Sequence, residues 1–193
     1  MLRKLIPVLV FAVATAIAYA AAAAPQRYTL DPTDSSVNFT YTLLGENARG
    51  TMPVASADIS IDFARLQNSR VRVALDATGA SGPVGFVTDA LHSPEVLHTR
   101  AHPEIRFVST RIVPTETGAR ISGNVTIRGV TRPLTLDARI YRKRGSAAND
   151  LSRLTVLMTG TISRTRFGAI GYPKIVDDPI TLNIRAALVR LDG

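Results

Sequence analysis

The sequence predicts an all-β chain of antiparallel strands, closed as a barrel or stacked as a sandwich. Three observations predict it. Apolar and polar residues alternate with period two in eight separate stretches. Turn-forming residues, among them Glu116-Thr117-Gly118, Arg128-Gly129 and Gly145-Ser146, separate those stretches. The 193 residues, 46% hydrophobic and 20% charged, are enough for one globular domain with a sizeable core. Clean alternation marks strands buried on one face only, hence antiparallel pairing, because parallel strands covered on both faces read as continuous apolar runs.

The elements follow in order. Arg3 and Lys4 precede an apolar run from Leu5 to Ala18, and Ala18-Tyr19-Ala20 and later alanines offer small-residue cleavage sites. That layout is a secretory signal peptide over residues 1–24, leaving one domain over 25–193. Val37, Phe39, Tyr41 and Leu43 share one strand face; Ile59, Ile61 and Phe63 share another, as do Val71, Val73 and Leu75. The segment from Ser81 to Pro103 breaks the period. Val84, Val87 and Leu91 have helical spacing after Gly82-Pro83, and Ser93-Pro94-Glu95 reads as an N-cap with proline at the first helical position. Two short inserted helices are expected there. Alternation resumes at Ile105 and Phe107. It continues through Ile121, Val125 and Ile127, then Leu134, Leu136, Ala138 and Ile140. Leu154, Val156, Met158 and Ile162 form the next strand, and Ile180, Leu182, Ile184 and Ala186 the last. Arg142 to Asp150 is a charged hairpin tip.

Composition excludes several chemistries. The chain has no cysteine, so disulfides, thiolate metal sites, thiol catalysis and lipidation of an N-terminal cysteine are ruled out. The formal charge of +8 favours anions. However, the arginines are spread over strands and aromatics are only 6%, which is not the clustered, stacking pattern of a nucleic-acid binder. His98 and His102, with His92 nearby, have metal-ligand spacing, but Pro103 interrupts any shared helix and no His-Glu-x-x-His motif is present. Neither a metal nor another cofactor is expected. Asp177-Asp178 before Pro179 reads as a turn. In Ser163-Arg164-Thr165-Arg166-Phe167-Gly168, two arginines two residues apart would share one side of a strand and could hold a phosphate or carboxylate, with Phe167 facing the other way. A structural turn is the competing reading.

Four motifs in order resemble one family. Tyr28-Thr29-Leu30-Asp31-Pro32 with Ser36-Val37-Asn38-Phe39 is followed by His102-Pro103-Glu104-Ile105-Arg106-Phe107-Val108-Ser109-Thr110. Then come Gly123-Asn124-Val125-Thr126-Ile127-Arg128-Gly129-Val130-Thr131-Arg132-Pro133-Leu134 and Arg164-Thr165-Arg166-Phe167-Gly168. Together they resemble the YceI-like family of exported polyisoprenoid-binding proteins, from about Tyr28 to Arg190. The resemblance implies an antiparallel eight-stranded, lipocalin-like barrel with a short helical insertion. It implies a periplasmic protein whose apolar lumen holds an isoprenoid lipid, such as a quinone or polyprenyl phosphate, for transport, storage or stress protection. The chain departs from the family at Leu43-Leu44-Gly45, Gly50-Thr51-Met52, Ala90 and Arg166, all near turns or the barrel mouth, where the headgroup would be read.

The expected ligand-contacting residues are Phe39, Tyr41, Phe86, Leu91, Phe107, Ile127, Ile162, Arg164 and Phe167. No catalytic residue is assigned. The alternatives are an enzyme using His92, His98 or His102 at the mouth, and a structural stress protein whose lumen is filled by side chains. Peripheral membrane contact and a homodimer remain open as partners. The signal reading is tested by N-terminal sequencing of exported protein: its first residue should fall between 21 and 25, and a chain beginning at Met1 contradicts it.

Overall fold

The structure, a computed structural model, describes residues 25–143, 145–147 and 149–191. The expected signal segment lies outside them. In chain order they form β1 (Gln26–Leu30), β2 (Ser36–Leu43), β3 (Glu46–Met52), β4 (Val54–Ile61), β5 (Arg70–Asp76), helix α1 (Gly85–His92), β6 (Glu104–Thr115), β7 (Gly118–Ile127), β8 (Val130–Arg142), β9 (Arg153–Ser163) and β10 (Pro179–Arg190).

The ladders close into a ring. β4 to β10 follow one another by antiparallel pairing, with β4 next to β5 and each later strand next to its successor. β10 pairs with β9 from Pro179↔Ser163 to Val189↔Arg153. On its other side, β2 takes the first half of β10 and β1 the second. β1 then pairs with β4, and β2 with β3. β1 and β2 are therefore one strand position interrupted by residues 31–35. β3 and β4 are likewise one position, interrupted at Pro53. Eight positions result, a closed antiparallel barrel as the sequence led us to expect, wide enough inside for side chains or one slender ligand.

Inward faces carry the alternating apolar residues, and Ile59, Ile105, Ile121, Val125, Leu134, Leu136, Leu154 and Val156 form much of the buried core. Three inward positions are glycine. A Cβ on Gly50 would overlap the Phe39 ring opposite it, and one on Gly123 would overlap the Phe107 ring. One on Gly160 would meet Leu134 and Leu136. These glycines let two phenylalanine rings and two leucines lie along the sheet rather than stand up into the lumen.

Two strands escaped the periodicity. β3 (Glu46-Asn47-Ala48-Arg49-Gly50-Thr51-Met52) is mostly polar or glycine, because only Gly50 and Met52 of it are buried. β1 is five residues long, too short to establish a period. The second inserted helix is not formed. Ser93 instead closes α1, its amide donating to Ala90 O, and residues 94–101 run as turns. Val96 N and His98 N both donate to Ser93 O, and Leu97 N donates to Leu91 O. His98 takes a left-handed φ of 51°, which folds the chain back and brings Leu97 toward the lumen. α1 also begins at Gly85, after an extended Val84.

The far end of the barrel is tied shut. Tyr28 is buried there, donates to Leu151 O at 2.9 Å, and meets Phe63 edge-on. In the β4–β5 connection, buried Asp62 accepts from Asn68 Nδ2 and from the backbone amides of Ala64 and Arg65. The Asn68 hydrogen bond, followed by the Arg65 amide, holds the Asp62 carboxyl below the usual carboxylate range. A lowered folded pKa stabilises the fold above the ordinary carboxylate pKa, and that stabilisation is lost as pH falls through the lowered value. The denaturation midpoint of the protein should therefore drop below about pH 4, and Asp62→Asn should flatten that acid limb while lowering the neutral-pH plateau.

Candidate functional site

The opposite end gathers four connections. The Leu44-Gly45 and Arg128-Gly129 turns are two-residue hairpins in which both residues have positive φ, the twist-matched geometry of a tight hairpin. The β5–β6 insertion carries α1, and the β9–β10 connection runs over residues 164–178. They are stitched together: Leu44 N donates to Ile175 O, Gly171 N to Glu95 O, and Arg128 Nη1 to the carbonyls of Pro94 and Val96.

Beneath them is an apolar cavity of about 560 Å³, within the range of roughly 300–1,000 Å³ typical of small-molecule sites. Its wall is apolar except for Ser35, Arg164, Arg185 and the hydroxyls of Tyr41 and Tyr172. All nine residues expected from the sequence lie on it: Phe39, Tyr41, Phe86, Leu91, Phe107, Ile127, Ile162, Arg164 and Phe167. They do not lie at one depth. Ile127 and Phe167 are buried in the wall, whereas Phe86 is 73% exposed at the rim. Sequence reasoning missed Leu97, Tyr172, Ile175 and Val176, which also line the cavity. They sit in irregular connections, where no period marks an inward face.

The expected arginine pair is not formed. Residues 165–167 are a short 3-10 turn rather than strand, so the two-residue spacing does not place Arg164 and Arg166 on one side. Arg166 is exposed, while Arg164 is 8% exposed. Its guanidinium donates to Asp177 O at 3.0 Å, Ala169 O at 2.6 Å, Gly171 O at 2.8 Å and Val176 O at 2.8 Å. Four of its N–H groups thus hold the β9–β10 connection, and the arginine is a structural tie. Phe167 is buried beside it, and Gly168 ends the turn at a left-handed φ of 75°. Asp178 accepts from the Thr165 amide and hydroxyl. The Ser163 and Thr165 hydroxyls hold its carboxyl below the usual range.

The histidines stand off the lumen. His92 Nε2 is 2.8 Å from Ala80 O, and His98 and His102 meet edge-on with ring centroids 5.6 Å apart. None of the three lines the cavity. Among the described residues, no group of three or more His, Cys, Asp or Glu side chains is placed to hold a metal ion. Around the mouth, Leu44, Val84, Phe86, Ile170, Tyr172 and Ile175 are exposed apolar or aromatic side chains.

Comparison with known proteins agrees with this geometry. The family model described as a YceI-like domain matches residues 28–188. A UPF0312 protein of Vibrio campbellii is 28% identical over 141 residues, 72% of each chain, and one of Vibrio parahaemolyticus matches to the same extent. In fold, the chain is similar to the crystal structure of BcnA from Burkholderia cenocepacia, with a TM-score of 0.72 at 17% identity over 82% of this chain and 99% of that one. The YCEI protein of Campylobacter jejuni superimposes with a TM-score of 0.58 at 20% identity, over 72% of this chain and 81% of that one.

If Arg164 ties the loop, Arg164→Ala should destabilise the protein by about 3 kcal/mol, since it strips hydrogen bonds from buried carbonyls. Urea denaturation measures this.

Proposed function

This chain belongs to the YceI-like domain family, and from that premise we propose that it is an exported, periplasmic carrier. The cargo is a long isoprenoid lipid held in the barrel lumen, and the role is binding rather than catalysis. The observation that carries this reading is the open volume: a barrel serving only as a structural core would fill its lumen with side chains, and here about 560 Å³ of apolar space remains. Burial of each CH₂ contributes roughly 0.8 kcal/mol, so a chain of many carbons binds without specific polar contacts. The flattened Phe39 and Phe107 rings leave room for such a chain.

Delivery needs an opening that an apolar molecule can pass. The exposed rim of Leu44, Phe86, Ile170 and Tyr172 supports transient contact between the mouth and a membrane surface. The signal-peptide layout of residues 1–24 supports residence outside the inner membrane.

Mass spectrometry of an organic extract of the purified protein tests the reading directly, and should show a co-purified isoprenoid. Phe107→Asp should abolish that retention, because an unpaired charge on an apolar wall is costly. A folded Phe107→Asp protein that still carries lipid would contradict the placement of the tail.

A further inference from the structure

Among the described residues, the cavity wall contains one buried polar side-chain group that the fold leaves without a partner. Tyr41 is 7% exposed, lines the cavity, and its hydroxyl has no hydrogen-bond partner. Among the described residues, the only other buried side-chain polar atom without a partner is Ser93 Oγ, which is not on the cavity wall. Buried hydroxyls are normally paired, and an orphan marks a place where a partner is missing.

We propose that the Tyr41 hydroxyl is the polar anchor of the cavity, donating a hydrogen bond to a neutral carbonyl oxygen at the head of the bound lipid. This rests on the lipid-carrier reading and specifies the headgroup. Tyr41 lies two residues from the end of β2, at the mouth end of the lumen, and its ring stacks on Phe39 with centroids 6.1 Å apart. A headgroup at Tyr41 therefore sits near the mouth, with its tail running inward past Phe39. Burial pushes the Tyr41 phenol up, so it stays protonated and can only donate or accept as a neutral group.

The charges on the page argue against a phosphate. The two arginines on the wall do not serve that position: Arg164 donates to four backbone carbonyls, and Arg185, exposed and with its Nε donating to Asp34 O, pairs with Ser36 at the other end of β2 from Tyr41. Arg132 and Arg166 are exposed and do not line the cavity. An anionic headgroup at Tyr41 would meet apolar side chains and neutral tyrosine hydroxyls with no cation, which leaves its charge desolvated and unpaired. A carbonyl needs no more than one such donor.

Three probes with the same geranylgeranyl tail separate the possibilities: a benzoquinone, a monophosphate and the bare hydrocarbon, each titrated into delipidated protein. Wild type should bind the benzoquinone more tightly than the monophosphate. Tyr41→Phe keeps the ring and should weaken the benzoquinone about fivefold, the ratio expected for one net hydrogen bond, while moving the hydrocarbon less than about twofold. The same variant should raise the thermal midpoint of the lipid-free protein, because it removes an unsatisfied buried hydroxyl. Unchanged benzoquinone affinity, an equal loss for the hydrocarbon, a preference for the monophosphate or a lowered midpoint would each overturn the anchor. If the wild type binds none of the three probes, the carrier reading fails and the anchor falls with it.

Discussion

Closure of the sheet through β10 is the constraint on which the rest of the structure depends. One twelve-residue strand satisfies β9 along one edge and both β1 and β2 along the other. Without that double pairing, the sheet would expose an edge on each side and its inner face would have to be covered by another layer. With it, every inward side chain faces other inward side chains across a lumen. The interruption at residues 31–35 is part of the same device. Asp31 N donates to Ala187 O, and Ser35 Oγ accepts from Ala187 N, so the detour stays fastened to β10.

What stands inside the ring decides whether the lumen is solid or open. Large residues at every inward position would fill it. Gly50, Gly123 and Gly160 remove three side chains and let their neighbours lie flat, so the apolar surface is kept while the volume is released. Among the described residues, the two most buried charged side chains work at opposite ends. Asp62 gathers the turn at the closed end, and Arg164 gathers the connection at the mouth. In each case a charged side chain stands in for missing regular structure by satisfying the backbone of an irregular segment, and in doing so it gives a loop a defined place on the barrel.

The two ends are consequently unlike. Tyr28, Phe63 and the Asp62 turn seal one. The other is built from two tight hairpins and two long connections with exposed apolar side chains, joined by backbone hydrogen bonds such as Gly171 to Glu95 and Leu44 to Ile175 and by the Arg128 and Arg164 side chains.

Period-two alternation determined the strand class, the antiparallel pairing and the inward faces, because a half-buried strand writes its burial directly into residue order. That is why Phe39, Phe107, Ile127 and Ile162 could be placed on the wall from the sequence. Motif order determined the family and, through it, the barrel. The sequence did not reveal β3, whose polar composition hides its pairing with β2, nor the turns after Ser93, where His98 folds back a segment that reads as a helix start. It also left the role of Arg164 open between a headgroup contact and a structural turn. Spacing could not choose between them, because the destination of its donors depends on carbonyls of Ala169, Gly171, Val176 and Asp177, which only the folded connection brings together. The open lumen is of the same kind. Whether inward residues touch or leave a space is set by barrel width and by which ring lies over which glycine, and those are distances between strands far apart in the chain.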